Sequence, residues 1–147
     1  MIKRIVNAED AKVYDELLTK LINSERKYDK LISKNFKVQD YFKNVIKDKK
    51  NILLAYLVDK QIIGYIYLKY IVADDKNGYL IDGLYIEKNY RQRGYAKELL
   101  EYSLKLLHTK NLAFIDIKVL CVNEIAKKLY KDFGFQEFKI TMRKSAD

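Results

Sequence analysis

The chain has 147 residues, no proline, one cysteine, one histidine, and 29 basic against 20 acidic residues, for a net charge of +9. That length suits one domain around a single core, expected here over residues 1–147. Cys121 alone excludes an internal disulfide, and His108 alone excludes a His-rich metal site and argues against a Ser-His-Asp triad, so no metal is expected.

With 49% apolar and 33% charged residues, the composition is that of a folded globule. No stretch approaches the roughly 20 apolar residues that span a bilayer. Met1 to Val6 lacks the apolar core of a signal peptide, so no membrane partner is expected and a cytoplasmic location is. The positive charge invites a nucleic-acid reading. The basic residues are scattered, however. Their densest run, Lys47-Asp48-Lys49-Lys50, falls at an expected helix end, where cations suit the dipole. No recognition helix or RNA-binding aromatic signature accompanies them, and nucleic acid ranks last among the partners.

In chain order, Ile2 to Val6 reads as a first strand. Ala8 to Ser24 reads as a helix with Tyr14, Leu17, Leu18, Leu21 and Ile22 on one stripe. Val38 to Lys47 reads as a second helix, with Val38, Tyr41, Phe42, Val45 and Ile46 inward. Ile52 to Val58 and Ile62 to Val72 look like paired strands around an Asp59-Lys60-Gln61 turn. A second turn, Asp74 to Gly78, leads into a strand from Tyr79 to Ile86. A helix over 91–107 follows, with Ala96, Leu99, Leu100, Ser103, Leu104 and Leu107 on the buried face. Leu112 to Val119 reads as a strand, 123–132 as a helix, and Gln136 to Met142 as a final strand. The order β-α-α-β-β-β-α-β-α-β predicts an α/β fold with a mixed sheet of about six to seven strands and helices on both faces.

The most informative stretch is Arg91-Gln92-Arg93-Gly94-Tyr95-Ala96, a short basic turn between a strand and a helix. The first turn of a helix carries N–H groups with no partner inside the helix, and with the positive end of the dipole these form an anion site. Gly94 and Ala96 keep side chains out of the way, and Arg91 and Arg93 add charge. A diphosphate-bearing ligand could be held there. Neither a three-glycine dinucleotide fingerprint nor a Walker loop is present.

A second constellation lies downstream. Val119 to Ala126 leads on to Leu129-Tyr130 and Phe133-Gly134-Phe135. Seven residues are nearly two helical turns, so Asn123 and Tyr130 share a face. Asn123 can cap the helix and still offer its amide outward, or be a cap and nothing more. Tyr130 can be a core aromatic or a functional hydroxyl. Gly134 can take the left-handed conformation that ends a helix.

Arg-x-x-Gly-x-Ala after a strand resembles the acetyl-CoA loop of the GNAT N-acetyltransferase superfamily, whose pattern is Gln/Arg-x-x-Gly-x-Gly/Ala. The downstream Asn-x-x-Ala, the Tyr seven positions after the Asn, and the closing Gly-Phe are similar to that superfamily too. The resemblance covers about residues 52–142; residues 1–50 match only in helix count. Where many members have Pro after the strand, this chain has Lys88.

The resemblance implies acetyl-CoA as co-substrate, whose anionic charge also suits a basic protein. It implies that the backbone of Leu84, Tyr85 and Ile86 holds the pantetheine arm, with Asn123 contacting it. It implies that Arg91, Gln92, Arg93, Gly94, Tyr95 and Ala96 hold the pyrophosphate. It further implies that Tyr130 protonates the departing thiolate after direct attack of an amine in a ternary complex. Cys121 is then structural. Asp82 and Glu87 flank the implied cleft as candidate bases. Asp82, expected to share a face with Leu84 and Ile86, can equally be a salt-bridge partner; Glu87 reads better as a solvated strand-end charge. Glu25, Tyr28 and Asp29 could bind a cationic amine or form an ordinary polar loop.

The leading expectation is an acetyl-CoA-dependent N-acetyltransferase acting on a primary amine of a small molecule or protein. The alternatives are a non-catalytic CoA-binding module and a basic nucleic-acid-binding domain. A homodimer through the final strand or exposed aromatics is a further expectation.

Overall fold

Five strands form one sheet in sequence order: β1 (Ile2–Arg4), β2 (Ile52–Val58), β3 (Gln61–Ala73), β4 (Lys76–Ile86) and β5 (Phe114–Ile117). The computed structural model describes residues 1–147. The helices are α1 (Ala8–Glu25), α2 (Tyr41–Val45), α3 (Tyr95–His108) and α4 (Glu124–Asp132). β1 to β4 pair antiparallel, and β4 pairs β5 parallel. Two-residue turns join β2 to β3 and β3 to β4. Asp59 and Lys60 take φ of 49° and 66°, and Asp74 and Asp75 take 49° and 62°. Two successive positive φ values give the twist that hairpin strands require.

Strand alternation sends side chains to two cores. Ile52, Leu54 and Tyr56 of β2 pack with Leu99, Leu100 and Leu107 of α3. Leu53 and Ala55 face the other way, with Tyr65, Tyr67 and Tyr85, onto Tyr14 and Leu17 of α1 and Phe42 of α2. Each fully buried leucine of α3 contributes about 1.5–3 kcal/mol relative to exposure. Leu129, Tyr130 and Phe133 of α4 pack against the α3 side. No helix is long and apolar enough to cross a membrane.

Three elements differ most from expectation: the strand expected over Leu112–Val119 forms only at Phe114–Ile117, and the second helix and the final strand depart further. The second helix is only Tyr41–Val45, because Asp40 has φ 54°, which no helix interior accommodates. The Phe42 N–H is instead bonded to the buried Asp15 carboxylate at 3.0 Å, which anchors the short helix to α1.

The final strand expected at Gln136–Met142 does not form, so the sheet has five strands rather than six or seven. Phe138, Ile140 and Met142 alternate as strand residues do, yet all three lie on the surface. Ion pairs fix the segment without engaging its backbone: Glu137 with Lys127 and Lys131, and Arg143 with Asp29. The strand through which a homodimer was expected is therefore absent from the single chain.

Two irregularities set the geometry of β4. Tyr67 of β3 stands opposite Gly83, but Leu68 stands opposite Ile81, so Asp82 is the extra residue of a β-bulge. On its other side β4 pairs with β5 only from Gly78 to Ile81. Beyond Ile81 the edge of β4 is free.

The register of β3 on β4 is testable at Gly64. A Cβ there would stand 2.5 Å from the Tyr85 carbonyl oxygen and 2.6 Å from Ile86 Cδ1. Gly64→Ala is expected to destabilise the fold by about 1–3 kcal/mol through overpacking, read as a lower urea midpoint. An unchanged midpoint would contradict the register.

Candidate active site

The free edge of β4 presents a defined set of backbone groups. The Glu87 N–H donates to the Ile63 carbonyl at 2.7 Å, and Tyr85 stands opposite Tyr65. Backbone groups in an antiparallel ladder alternate between the two sides of a strand. Tyr85 therefore turns its N–H and C=O toward β3, and Leu84 and Ile86 turn theirs to the free edge. Of the three residues whose backbone was expected at this edge, Tyr85 contributes its side chain to the opposite core instead.

A 3₁₀ turn at Lys88–Tyr90 leads from β4 into the basic loop. Arg91 Nε donates to the Ile86 carbonyl at 2.8 Å, and its guanidinium lies 5.4 Å from the centre of the Tyr85 ring. Arg93 lies 5.5 Å from the centre of the Tyr90 ring. These contacts pin the loop to the end of β4 by hydrogen bonding and cation–π attraction. Gln92 has φ 63° and Gly94 has φ 83°, and Gly94 is the N-cap of α3 without side-chain capping. A Cβ on Gly94 would meet nothing within 4 Å, so the space over the turn is open.

The Arg91 N–H is bonded to the Lys88 carbonyl, and the first bond into the α3 cap is Glu98 N–H to the Gly94 carbonyl at 3.0 Å. None of the N–H groups of Gln92, Arg93, Gly94, Tyr95, Ala96 and Lys97 has a protein acceptor. The orphan run thus begins one residue later than the motif suggested and includes Lys97. Such a run at a helix N-terminus beside two arginines fits a diphosphate. The Tyr56 hydroxyl bonds the Glu98 carboxylate, and the Tyr56 ring lies 4.7 Å from that of Tyr95. Both contacts hold the first turn of α3 in place.

Asn123 caps α4: its Oδ1 accepts the Ala126 N–H at 3.2 Å, and its amide nitrogen makes no protein hydrogen bond. Tyr130 lies on α4, partly buried, with its ring 6.3 Å from Phe135. Burial, then the carboxylate of Glu25, push its pKa up to about 12. At neutral pH the hydroxyl keeps its proton.

Asp82 does not share the face of Leu84 and Ile86. The bulge breaks the alternation, and the carboxylate acts electrostatically on Tyr41, Tyr65 and Tyr67 on the α1–α2 side. Desolvation raises the Asp82 pKa against the opposing pull of Lys69 and Lys118. It forms no ion pair. Glu87 is held by Lys20 at 2.8 Å, an exposed pair that leaves it poorly suited as a base. Asp29 is paired with Arg143, which draws its pKa down.

Glu25 is placed at the same centre, within electrostatic reach of Tyr130 and Tyr65, and its own pKa is raised by burial. The sequence offered it, with Tyr28 and Asp29, as a residue that could bind a cationic amine or belong to an ordinary polar loop. Tyr65, whose buried hydroxyl lacks a partner, carried no sequence signal at all, because strand tyrosines of both cores look alike. Cys121 is exposed and has no place in this arrangement.

The tyrosine shifts set the alkaline limit of the fold. A raised native pKa means that the unfolded chain, with tyrosines near 10, loses protons first. The contribution is full below about pH 10 and is lost as pH rises toward about 12, the value for Tyr130 and for Tyr14. Tyr130→Phe is expected to lose less stability than the parent between pH 10 and 12 in urea titrations. Equal losses would contradict a protonated, desolvated Tyr130.

The Acetyltransferase (GNAT) family profile matches residues 14–135. An uncharacterized N-acetyltransferase, YycN of Bacillus subtilis (strain 168), is 27% identical over 88 residues, which is 60% of this chain and 56% of that relative's length. Among solved structures, a tetramutant of the BH1408 protein from Bacillus halodurans superposes with a TM-score of 0.85 over 99% of both chains at 17% identity. An aminoglycoside acetyltransferase from an uncultured soil metagenomic sample, solved with trehalose, superposes with a TM-score of 0.77, covering 100% of this chain and 96% of that one at 16% identity. Identities this low establish a shared fold only. The family match spans the α1 stripe, the bulged strand, the orphan amides and the α4 tyrosine, and the chain belongs to the GNAT acetyltransferase family.

Proposed function

We propose that the protein is an acetyl-CoA-dependent N-acetyltransferase that moves an acetyl group to a primary amine by direct attack in a ternary complex. The observation that carries this reading is the run of unbonded amides from Gln92 to Lys97, pinned by Arg91 to the end of the strand whose edge is free. Acetyl-CoA supplies a thioester whose carbonyl a neutral amine can attack. The orphan amides and arginines bind the pyrophosphate. Leu84 and Ile86 hold the pantetheine arm by backbone hydrogen bonds, in the position a further strand would take, and the Asn123 amide adds a donor. Backbone N–H groups at the edge stabilise the carbonyl oxygen as charge develops on it.

Asp82 takes the proton of the acceptor ammonium, and its raised pKa makes it a stronger base than an ordinary aspartate. As the carbon–sulfur bond breaks, Tyr130 gives its proton to the sulfur; the second proton leaves the nitrogen as the amide forms, and solvent carries it away and reprotonates Tyr130. A tyrosine at about 12 is a weak acid toward a solvated thiolate near 8.5. The same desolvation raises the basicity of a thiolate in the cleft, which narrows that gap. No covalent enzyme intermediate is required.

The test is free-thiol release from acetyl-CoA across a panel of primary amines, preceded by a thermal shift with CoA. CoA is expected to raise the melting temperature, because a ligand specific to the native state stabilises it. Tyr130→Phe and Asp82→Asn are each expected to lower kcat about 100-fold or more. A thermal shift without thiol release from any amine would favour the non-catalytic CoA-binding module. Full turnover by Tyr130→Phe would overturn its role as the acid.

A further inference from the structure

The α1–α2 side of the sheet carries, at the end of α1 and on the β4 bulge, two carboxylates that form no ion pair, Glu25 and Asp82, in a protein of net charge +9. Glu25 closes α1. Its side chain is partly buried and makes no hydrogen bond or ion pair; burial, then the like charge of Asp29, raises its pKa. Asp29 itself is satisfied by Arg143 at 2.8 Å. Asp82, on the bulge, feels Lys69 and Lys118 without pairing with either. The Tyr65 hydroxyl is influenced by both carboxylates. Tyr65 is 0% exposed, and its hydroxyl oxygen has no hydrogen-bond partner. The hydroxyl is aimed at the bulge: a Cβ built on Gly83 would lie 3.1 Å from it.

A desolvated, unpaired carboxylate and an unbonded buried hydroxyl both cost stability. With 29 lysines and arginines in the chain, a partner for Glu25 was available, as Arg143 is for Asp29. Glu25 and the Tyr65 hydroxyl are left incomplete, and Asp82 stands exposed at the bulge toward which Tyr65 is aimed; a ligand that brings positive charge and N–H donors completes the set.

We propose that Glu25 and Asp82, with the Tyr65 hydroxyl between them, form a two-point site for an acceptor carrying two cationic nitrogens, of the linear-diamine class. The nitrogen at Asp82 lies beside the free edge of β4 and is the one that reacts. The nitrogen at Glu25 anchors the molecule and brings the donors that the buried groups lack. A monoamine would satisfy Asp82 and leave Glu25 bare. The remaining surface is basic and repels a dication at long range, so recognition rests on these local carboxylates. The identity of the reacting nitrogen rests on the transferase reading; the two-point binding does not.

The experiment is calorimetric binding of 1,4-diaminobutane and of 1-aminobutane to the CoA-saturated protein, for the parent, Glu25→Gln and Tyr65→Phe. The parent is expected to bind the diamine about tenfold or more tightly than the monoamine, the scale of one well-placed charge pair. Glu25→Gln brings the diamine down to the monoamine level. Tyr65→Phe, which keeps the ring, weakens the diamine severalfold. The amine-free melting temperature of Glu25→Gln rises, because a desolvated charge is gone; a merely structural glutamate would give a fall. Equal affinity for the two amines in the parent, or a diamine preference that survives Glu25→Gln, would overturn the proposal. Diamine binding with the expected preference, together with no thiol release from acetyl-CoA for the diamine or any other amine of the panel, would uphold the site and overturn the transferase reading instead.

Discussion

β4 and β5 share a short parallel pairing, Gly78 to Ile81 against Phe114 to Ile117, and the site depends on where it stops. Had it continued, the backbone groups of Leu84 and Ile86 would be spent inside the sheet. Because it stops, β4 has one edge held by β3 and another edge open over its last five residues. Free strand edges are usually blunted, since they template further pairing. Here Arg91 folds back onto the Ile86 carbonyl, closing the end of the strand while leaving Leu84 clear. The same contact positions the loop whose amides are unbonded. Fold and site are thus coupled through a strand that is half in the sheet and half out of it.

The bulge at Asp82 adds a second level of control. One extra residue turns Asp82 toward the α1–α2 side while Leu84 and Ile86 keep to the α3 side. A carboxylate on the acceptor side and backbone donors at the edge can then serve one reaction from a single strand. The helices complete the division. α3 brings the unbonded amides at its N-terminus, α4 brings Asn123 and Tyr130, and the end of α1 brings Glu25. The charge distribution has the same division, with arginines around the orphan amides and unpaired carboxylates on the acceptor side.

Local signals were legible in the sequence and non-local ones were not. The α3 stripe of Leu99, Leu100, Ser103 and Leu107 was readable because helical periodicity is local, and all four are buried. Gly94 was readable because a glycine after a basic pair and before an amphipathic run marks a helix start. The Asn123 cap came from the same kind of reasoning. The bulge was not readable, since it exists only relative to β3. Nor was the failure of residues 136–142 to pair: Phe138, Ile140 and Met142 alternate as a strand should, yet all three stay exposed, because pairing is decided by long-range contacts that the local pattern does not contain. The shortening of α2 turned on the positive φ of Asp40, a backbone state that sequence allows but does not require. The isolation of Glu25 was hidden for a different reason. A missing partner becomes visible only when every cation in the fold has been placed.

The amides from Gln92 to Lys97, which have no protein acceptor, are the proposed diphosphate grip on which the chemistry rests. The most direct test is a titration of the ¹⁵N-labelled protein with CoA, tracking backbone amide resonances. Large downfield proton shifts and slowed hydrogen exchange are expected at Gln92, Arg93, Gly94, Tyr95, Ala96 and Lys97, with smaller changes at Leu84 and Ile86. CoA binding that leaves those six amides unmoved, or that perturbs another surface instead, would contradict this role.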